Sequence, residues 1–400
     1  MLAGQHIILG VTGGIAVYKA VELCRLFVKA GAQVRVVMTE AAKQFVTPLT
    51  FQTISKQPVY DRLFIGSERF SVEHVGLAQE ADLFVIAPAT ANTLGKIANG
   101  IADNLLTTTL MAAKCPILLA PAMNTNMYEN PLQQANLKKL AAVGYHFVGP
   151  EQGELACGDQ GRGRMSEPQA IFTAACQLLL ADPFWQGKHV LVTAGPTREA
   201  IDPIRFLTNR SSGKMGYAVA EVAALLGADV TLISGPVDLM PPPGVKTIMV
   251  TTAQEMYDAV TAHFPAVDVV VKAAAVADYR PLRQCKQKIK KGNELNLVLV
   301  QNPDILAELG RQKQQQILVG FAAETDNLRE NAEKKLIQKK LDLIVANNVL
   351  QEGAGFAADT NIIQIFYRNG EEKQFPKMTK HQVAREVLNA VKELKNNPVS

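Results

Sequence analysis

The chain contains the same sequence pattern twice, and this repeat limits its fold more than any other feature. In the first copy an apolar run over residues 6–11 precedes a glycine-rich loop and a helical stretch over residues 15–30. The same order recurs over residues 189–193 and 216–226, and both helical stretches are followed by Gly-Ala and a second strand. A strand, a glycine-rich turn, a helix and a second strand form the βαβ unit of a parallel sheet. The repeat therefore predicts two doubly wound α/β domains with mainly parallel sheets.

Further apolar runs predict the remaining buried strands, and a charged helix follows them near the end of the chain. The runs cover residues 83–89, 116–120, 268–272, 317–321 and 341–347, and the helix covers residues 381–395. Four hundred residues, at ~150 per domain, suit two or three domains. We place one domain at residues 1–189 and the other at residues 190–400. They are joined near a short segment that contains Pro183 and the only tryptophan, Trp185.

Composition excludes several classes of protein. Hydrophobic residues make up 48% of the chain and charged residues 20%, a balance typical of globular proteins and not of disordered ones. A net charge of +4 is too weak to predict a nucleic-acid partner, and the apolar runs are shorter than the ~20 residues of a membrane span. The five cysteines form no CxxC pair, so neither a disulfide framework nor a zinc site is indicated. With no targeting segment ahead of the first strand, we expect a cytoplasmic protein.

Two loops in the first half are candidates for a cofactor site. Gly13 and Gly14 follow the first strand, where backbone N–H groups can approach a phosphate, although such a glycine pair is as often purely structural. The run over residues 83–89 leads into Pro88-Ala89-Thr90-Ala91-Asn92-Thr93. Small and hydroxylated residues at a strand's carboxyl end suit a flat cofactor, or equally a tight turn with an asparagine cap.

Three further side chains in the first half could act on a substrate. Asn124 follows a predicted strand, and its amide can donate to a carboxylate. His74 begins a helical segment, where a lone histidine is more often structural than catalytic. Cys157 lies in a glycine-rich segment with two arginines, so its thiol is a candidate acid or nucleophile. Three other cysteines lie in apolar stretches and are predicted to be packing residues: Cys24, Cys115 and Cys176.

The second half has polar loops that favour an anionic ligand. Residues 195–199 and 209–216 are dense in polar donors and precede a helix, although Met215 after Lys214 excludes a Walker A motif. Asp278 follows a buried run and could hold a base, a ribose or a metal. Alternating lysines around Lys288 are either a solvated strand face or part of a phosphate site. The basic pair Lys335 and Lys339, one helical turn apart, favours the phosphate site.

Taken together, these motifs resemble the bifunctional bacterial decarboxylase/ligase family of coenzyme A biosynthesis. The first half is similar to flavin-dependent cysteine decarboxylases: their PASANT motif is present at residues 88–93 with Thr90 for serine, and their PxMNxxMW motif at residues 121–128 with Tyr128 for tryptophan. The second half resembles the CTP-dependent phosphopantothenate–cysteine ligase. Its matching features are Asn209, the AAVADY segment, Lys288, Asn302-Pro303-Asp304-Ile305, the GFAAE segment, Lys335 and Lys339.

The resemblance implies two Rossmann-like domains, the first of the flavin-dependent cysteine decarboxylase type, and it implies where their ligands bind. FMN would contact Gly13, Gly14, Ile15, Thr39, Pro88, Ala89, Thr90 and Asn92. CTP would contact Ala273, Ala274, Ala275, Asp278, Lys288, Asn302, Pro303, Asp304, Ile305, Phe321, Lys335 and Lys339. Mg²⁺ would assist the ligase, with ligands that the resemblance does not identify.

The resemblance also implies the reactions. The ligase would join L-cysteine to 4′-phosphopantothenate through an acyl-cytidylate, with Lys288 stabilising charge and Asn209 positioning the intermediate. The decarboxylase would convert 4′-phosphopantothenoylcysteine to 4′-phosphopantetheine. His74 would assist the loss of CO₂, Asn124 would hold the carboxylate and Cys157 would donate a proton. We expect a homo-oligomer, with a decarboxylase domain that is at least trimeric and a dimeric ligase domain.

Two alternatives keep the fold and change the function. A nicotinamide-dependent oxidoreductase would use Glu40 at the end of the second strand, but it needs the GxGxxG pattern that this chain lacks. A flavin-binding regulatory protein would not need the candidate catalytic residues or the ligase half.

Overall fold

The computed structural model describes residues 1–63, 73–154, 158, 160–291, 295–324, 327–348 and 358–396. The chain divides into two compact units, Met1–Leu180 and Ala181–Ser400. Trp185, in the segment predicted to join the domains, is buried in a hydrophobic core of the second unit.

The first unit alternates strands and helices from its start. Its strands are β1 (His6–Val11), β2 (Gln33–Met38), β3 (Val59–Tyr60), β4 (Leu83–Ala89), β5 (Ile117–Pro121), β6 (His146–Phe147), β7 (Glu151–Glu154) and β8 (Gln160–Arg164). Its helices are α1 (Val17–Lys29), α2 (Pro48–Ser55), α3 (Glu73–Glu80), α4 (Ala91–Ala98), α5 (Leu105–Ala112), α6 (Thr125–Glu129), α7 (Pro131–Ala142) and α8 (Pro168–Leu180).

Six of these strands form one parallel sheet in the order β3-β2-β1-β4-β5-β6. This is the order of a doubly wound nucleotide-binding fold, in which the direction of winding reverses between β1 and β4. All seven residues of β4 are buried. Helices cover both faces of such a sheet, so its central strands are continuous apolar runs that the sequence shows clearly. β7 and β8 form a separate antiparallel hairpin.

The second unit repeats the plan and extends it. Its strands are β9 (His189–Ala194), β10 (Arg198–Ala200), β11 (Phe206–Thr208), β12 (Asp229–Ser234), β13 (Lys246–Met249), β14 (Val269–Lys272), β15 (Tyr279–Pro281), β16 (Leu299–Gln301), β17 (Ile317–Glu324), β18 (Leu343–Asn348), β19 (Thr360–Asn361), β20 (Gln364–Tyr367), β21 (Glu372–Gln374) and β22 (Met378–Thr379). Its helices are α9 (Lys214–Leu225), α10 (Ala253–His263), α11 (Ile305–Gln312), α12 (Leu328–Gln338) and α13 (Lys380–Asn396).

Its main sheet has the order β13-β12-β9-β14-β17-β18-β20-β21. The first six strands are parallel, and β20 and β21 add an antiparallel edge. Alternate residues of β9 point into two cores: one is shared with α9 and α13, and the other with α10, α11 and α12. The predicted fold class, two doubly wound α/β domains with mainly parallel sheets, is therefore confirmed.

The start of α9 shows how a glycine sets an element boundary. The sequence predicts this helix from Gly216, but it begins two residues earlier, because Gly213 adopts φ +77° at the N-cap. Gly216 lies against β9, and a Cβ there would stand 2.5 Å from the Cβ of Ala194. Only glycine lets the first turn of α9 approach the strand this closely.

None of the described helices combines the length and the apolar character that a membrane span requires.

Candidate functional site

In the first unit, a cluster of threonines joins the ends of β1 and β4. The Thr12 hydroxyl donates to the Pro88 carbonyl oxygen at 2.6 Å, and the Thr90 N–H donates to the Thr12 hydroxyl oxygen at 3.2 Å. The hydroxyls of Thr90 and Thr93 lie 3.2 Å apart. These bonds span the point where the winding of the sheet reverses, the usual place of a ligand crevice. The sequence singled out Thr90 but not Thr12.

A cavity of about 620 Å³ opens at this point. Five of the predicted flavin contacts line it: Gly13, Gly14, Thr39, Thr90 and Asn92. Further lining residues that the sequence did not single out are Ala41, Lys96, Asp103, Asn104, Ala122, Met123 and Met127. Two predicted contacts, Pro88 and Ala89, lie buried within β4 and do not line the cavity.

A second cavity of about 580 Å³ adjoins the first and shares Gly14, Ala122 and Met123 with it. The predicted residues Ile15 and Asn124 line this second cavity. Asn124 is the N-cap of α6, and its Oδ1 accepts a hydrogen bond from the Asn126 N–H at 2.9 Å.

The loop that carries Asn124 is held against β8. The Met123 N–H donates to the Gly163 carbonyl oxygen at 2.9 Å. Gly163 has φ +150°, and a Cβ there would stand 2.1 Å from the Met123 carbonyl oxygen. A glycine is therefore required where the hairpin approaches this loop.

A buried lysine forms part of the wall of this second cavity. Lys19 donates to the Met165 carbonyl oxygen and to the Glu167 carboxylate, both at 2.9 Å. Lys19, and then Arg164, hold the pKa of Glu167 below its ordinary value. This network ties α1 to the segment after β8, and the cavity lining holds Lys19 and Arg164, both paired with Glu167, together with Glu154.

The other two candidate catalytic residues of the first unit are not brought into these cavities. His74 is the second residue of α3, is half-buried, and lines neither cavity among the described residues. Cys157 lies outside the described residues. The glycine-rich segment around it is in part the β7–β8 hairpin and not wholly a loop.

The predicted packing role of the three apolar cysteines is confirmed. Cys24 and Cys176 are buried, and burial raises the pKa of the Cys24 thiol to about 12. Cys115 is half-buried and packs against a hydrophobic core of the first unit, beside a separate cavity of about 330 Å³.

In the second unit, the loops after β9 and β14 are linked by several hydrogen bonds. The Ala275 N–H donates to the Gly195 carbonyl oxygen at 2.9 Å, and the Ala277 N–H donates to the Thr197 hydroxyl oxygen at 3.0 Å. Asn209 contributes its amide: Nδ2 donates to the carbonyl oxygens of Ala275 and Val276, both at 3.1 Å. β9 and β14 flank the reversal point of this sheet, so the same crevice position recurs.

A cavity of about 480 Å³ opens beside these loops at the start of α9. Its lining includes Asn209, residues 210–216, Ala273, Ala274, Ala275, Phe321, Asn347 and Asn361. Four cationic side chains line it, Arg210, Lys214, Lys272 and Lys380, and its described lining contains no Asp or Glu.

Two of these cations have neighbours that modify them. Lys214 pairs with Asp359 at 2.6 Å, outside the cavity lining. Burial lowers the pKa of Lys380, and the charge of Lys214 lowers it further. An anion in the cavity would stabilise the charged form of the buried Lys380.

A smaller cavity of about 80 Å³ lies next to the cationic one. The predicted residues Asp278, Asn302, Pro303, Asp304, Ile305 and Lys339 line it. The Asn302 amide Nδ2 donates to the Ala277 carbonyl oxygen at 2.8 Å, and its Oδ1 accepts from Arg280 at 2.8 Å. Asp304 caps α11 through the Ala307 N–H and pairs with Lys339 at 2.8 Å. Burial opposes the ionisation of Asp304, but Lys339 and the Ala307 N–H keep its pKa below the ordinary value.

Lys272, the last residue of β14, lines both cavities together with Val276. The sequence did not identify it, because a lysine at the end of an apolar strand is typical of a strand that reaches solvent. Burial, followed by the charge of Lys339, lowers the pKa of Lys272 to about 8.

Lys288 and Lys335 line neither cavity among the described residues. Lys288 is exposed, on a segment held against the turn after β10: the Ile289 N–H donates to Asp202 at 3.2 Å. Burial opposes the ionisation of Asp202, but three backbone N–H donors and Arg205 lower its pKa. Lys335 lies on α12, one turn before Lys339.

Among the described residues, no group of three or more His, Cys, Asp or Glu side chains is placed to hold a metal ion.

Two family models together match almost the whole chain. Residues 1–180 match the family described as Flavoprotein, and residues 185–394 match the DNA/pantothenate metabolism flavoprotein C-terminal domain.

Whole-length relatives match both units at once. The coenzyme A biosynthesis bifunctional protein CoaBC of Bacillus subtilis (strain 168) is 50% identical over 398 residues, 98% of each chain. The protein of the same name from Escherichia coli (strain K12) is 46% identical over 378 residues, 93% of each chain.

Solved structures match parts of the chain. The C-terminal domain of a CoaBC protein is 47% identical and covers 54% of this chain and 100% of its own, with a TM-score of 0.47. A mutant PPC decarboxylase complexed with pantothenoylaminoethenethiol is 36% identical and covers 42% of this chain and 95% of its own, with a TM-score of 0.39.

Proposed function

The chain belongs to the family of coenzyme A biosynthesis bifunctional proteins, and from that premise we propose that its first unit is the decarboxylase and its second unit the ligase. The chain is an enzyme of coenzyme A biosynthesis with both activities. One observation supports the assignment above all: each unit has its own pair of adjoining cavities at the reversal point of its own parallel sheet. A regulatory flavoprotein is not favoured, since it would not need the second unit.

The first unit takes FMN as its cofactor in this proposal and decarboxylates 4′-phosphopantothenoylcysteine to 4′-phosphopantetheine. The crevice fits a flavin because Gly13 and Gly14 present bare backbone beside the hydroxyls of Thr90 and Thr93. A Cβ at Gly14 would meet only the Thr90 methyl group, at 3.5 Å, so the crevice is open there. When bound, the flavin supplies the oxidation of the substrate's cysteine moiety that makes its carboxylate easy to lose.

Side chains of the chain then bind and orient the substrate. The Asn124 amide, on the wall of the cavity that adjoins the flavin crevice, is assigned to the substrate carboxylate. His74 is assigned to assisting the loss of CO₂, and Cys157 to the proton donation that completes the product. Because His74 lines neither cavity of its own unit, a neighbouring copy that brings it to the site is part of the proposal.

The second unit uses CTP and Mg²⁺ to join L-cysteine to 4′-phosphopantothenate. A carboxylate oxygen of phosphopantothenate attacks the α-phosphorus of CTP and releases pyrophosphate, and the cysteine amine then displaces CMP. The described lining of the larger cavity has four cations and no Asp or Glu, which suits anionic substrates, and the adjoining cavity offers the exposed Asp278 carboxylate to a nucleoside. Lys288, which lies outside both cavities, is assigned to the triphosphate across a subunit contact.

Exposed apolar side chains in each unit support the assembly as a homo-oligomer. In the first unit Ile15 is 59% exposed and Tyr18 is 62% exposed at the rim of the substrate cavity. In the second unit Ile204 and Phe206 are exposed near the segment that carries Lys288. We propose that the first unit forms at least a trimer and the second a dimer, which analytical ultracentrifugation of the whole chain would test.

A coupled assay tests the proposed function directly. The purified chain should be yellow with FMN and should convert phosphopantothenate, cysteine and CTP to 4′-phosphopantetheine in the presence of Mg²⁺. Mass spectrometry would follow each intermediate. A colourless protein that FMN does not reconstitute would refute the cofactor, and a preparation that uses ATP equally well in place of CTP would refute the nucleotide.

Two variants separate the proposed roles in the decarboxylase. Cys157→Ser should still release CO₂ but accumulate an oxidised enethiol product, since a hydroxyl is a poorer acid than a thiol. His74→Asn should instead abolish the release of CO₂. Equal loss of CO₂ release in both variants would show that the roles are wrongly divided.

A further inference from the structure

Lys272 stands where the two cavities of the second unit meet. It is the last residue of β14, and it lines the cationic cavity on one side and the Asp278/Asp304 cavity on the other. Among the described residues, no hydrogen bond or ion pair to its ammonium group is present. Lys272 is half-buried, and a lysine withdrawn from solvent is normally paired, so its environment points to an anion that the ligand supplies.

The groups around Lys272 do not satisfy its charge. Asp304 already pairs with Lys339 at 2.8 Å, and Asp278 is exposed on the loop after β14. Lys335 on α12 and Lys339 at its C-cap repel the ammonium. Burial, followed by the charge of Lys339, lowers the pKa of Lys272 to about 8; Asp304 and Asp278 each oppose this shift by more than Lys335 adds to it. An anionic ligand would restore the charged form of Lys272.

We propose that the Lys272 ammonium contacts the α-phosphate of the nucleotide, at the junction where nucleotide and acyl group are joined. This proposal rests on the ligase function proposed above. A carboxylate oxygen forms a bond to the α-phosphorus, the bond from that phosphorus to the bridging oxygen breaks, and pyrophosphate leaves with the electron pair. Negative charge gathers on the non-bridging oxygens of the α-phosphate, which Lys272 stabilises from a fixed strand end.

Proton uptake on nucleotide binding provides a test that does not depend on turnover. At pH 8 about half of the Lys272 side chains are neutral, so binding of Mg·CTP should draw up to about half a proton per site. Calorimetry of the whole chain with Mg·CTP, in buffers of contrasting ionisation enthalpy, measures this uptake. It should fall sharply in Lys272→Met, which cannot take a proton, and in Lys272→Arg, which already holds one; the uptake that remains would come from Lys380, whose pKa is also lowered in this cavity.

The reaction rate provides the second test. Lys272→Met should slow pyrophosphate release from CTP and phosphopantothenate on the order of a hundredfold. Lys272→Arg should recover part of that rate, since it retains the charge. The reaction of preformed acyl-cytidylate with cysteine should change much less. Lys246→Gln, an exposed lysine at the start of β13, is the matched control and should behave as the unaltered chain.

Unchanged proton uptake in a folded Lys272→Met protein, or pyrophosphate release within twofold of the unaltered chain, would overturn the proposal. Lys272→Gln repeats the test if the methionine variant does not fold. An unaltered chain that releases no pyrophosphate would instead refute the proposed ligase chemistry. The calorimetric result would still decide whether Lys272 contacts the nucleotide.

Discussion

Replacing Asn209 by aspartate isolates the function of two hydrogen bonds. The Asn209 Nδ2 donates to the carbonyl oxygens of Ala275 and Val276, both at 3.1 Å, and so fixes the loop after β14 that lines the cationic cavity. Asn209→Asp keeps the size of the side chain but removes both donors and turns a carboxylate oxygen toward two carbonyl oxygens. At about 1 kcal/mol per lost bond, with repulsion added, the change costs about 2–3 kcal/mol.

That free energy predicts how the two half-reactions separate. Attack by the cysteine amine needs the acyl carbon of the intermediate held in one position, so the whole loss should appear there, as roughly 30- to 150-fold in rate. Pyrophosphate release, which relies on the cations, should fall by less than about tenfold. Acyl-cytidylate should therefore accumulate, and quenched-flow mass spectrometry would detect it.

The control is an asparagine-to-aspartate substitution at a position where the side chain accepts a hydrogen bond instead of donating one. Asn369 accepts from the Glu371 N–H at 3.0 Å in the turn between β20 and β21, and a carboxylate can accept equally well. Asn369→Asp should leave both half-reactions unchanged. If Asn209→Asp slows both half-reactions equally, or slows neither, the two bonds do not position the intermediate and the reasoning is refuted.

Three other changes have outcomes that the structure predicts. Gly13→Ala would place a Cβ 2.4 Å from the Cβ of Ala41, so the loop must shift and flavin binding measured by fluorescence should weaken at least about tenfold. Gly95→Ala, on α4 and outside the cavity lining, is its control: its Cβ would make only an ordinary 3.6 Å contact with Asn136, so flavin binding should be unchanged. Lys288→Gln should lose pyrophosphate release, because Lys288 is assigned to the triphosphate across a subunit contact. A Lys288→Gln chain that forms the oligomer and still releases pyrophosphate would contradict the assignment. The pKa of Lys272 is about 8 in the folded chain and an ordinary 10.5 in the unfolded chain. Its charged form therefore lowers the free energy of unfolding fully below pH 8, and this destabilisation is lost above pH 10.5. The stability advantage of Lys272→Met in urea unfolding should therefore shrink by about 2–3 kcal/mol between those pH values, and a constant advantage would contradict the burial of a charged lysine.

Local sequence was sufficient for the elements and for much of the crevice. The apolar runs that became β1, β4, β9 and β14 are buried on both faces, so they stand out without any knowledge of their neighbours. The turn at Gly13-Gly14 and the polar loop at Asn209 were identified because each precedes a predicted helix, whose N-terminus favours an anion. Even there, the sequence could not show that the Asn209 amide is bonded to the loop after β14.

Tertiary structure alone decided which of those loops meet and what charge they create. Thr12 and Pro88 are 76 residues apart and join only because β1 lies beside β4, a pairing that depends on the order of the whole sheet. Lys288 is exposed and outside the cavities, although its spacing suggested a phosphate site, because Asp202 holds its segment against a different turn. Lys272 gave no signal in the sequence. Its significance comes from α11 and α12, which bring Asp304, Lys335 and Lys339 to the end of β14. Periodicity over a few residues selects strands and helices, whereas the burial and pairing of a charge depend on groups that only long-range packing brings together.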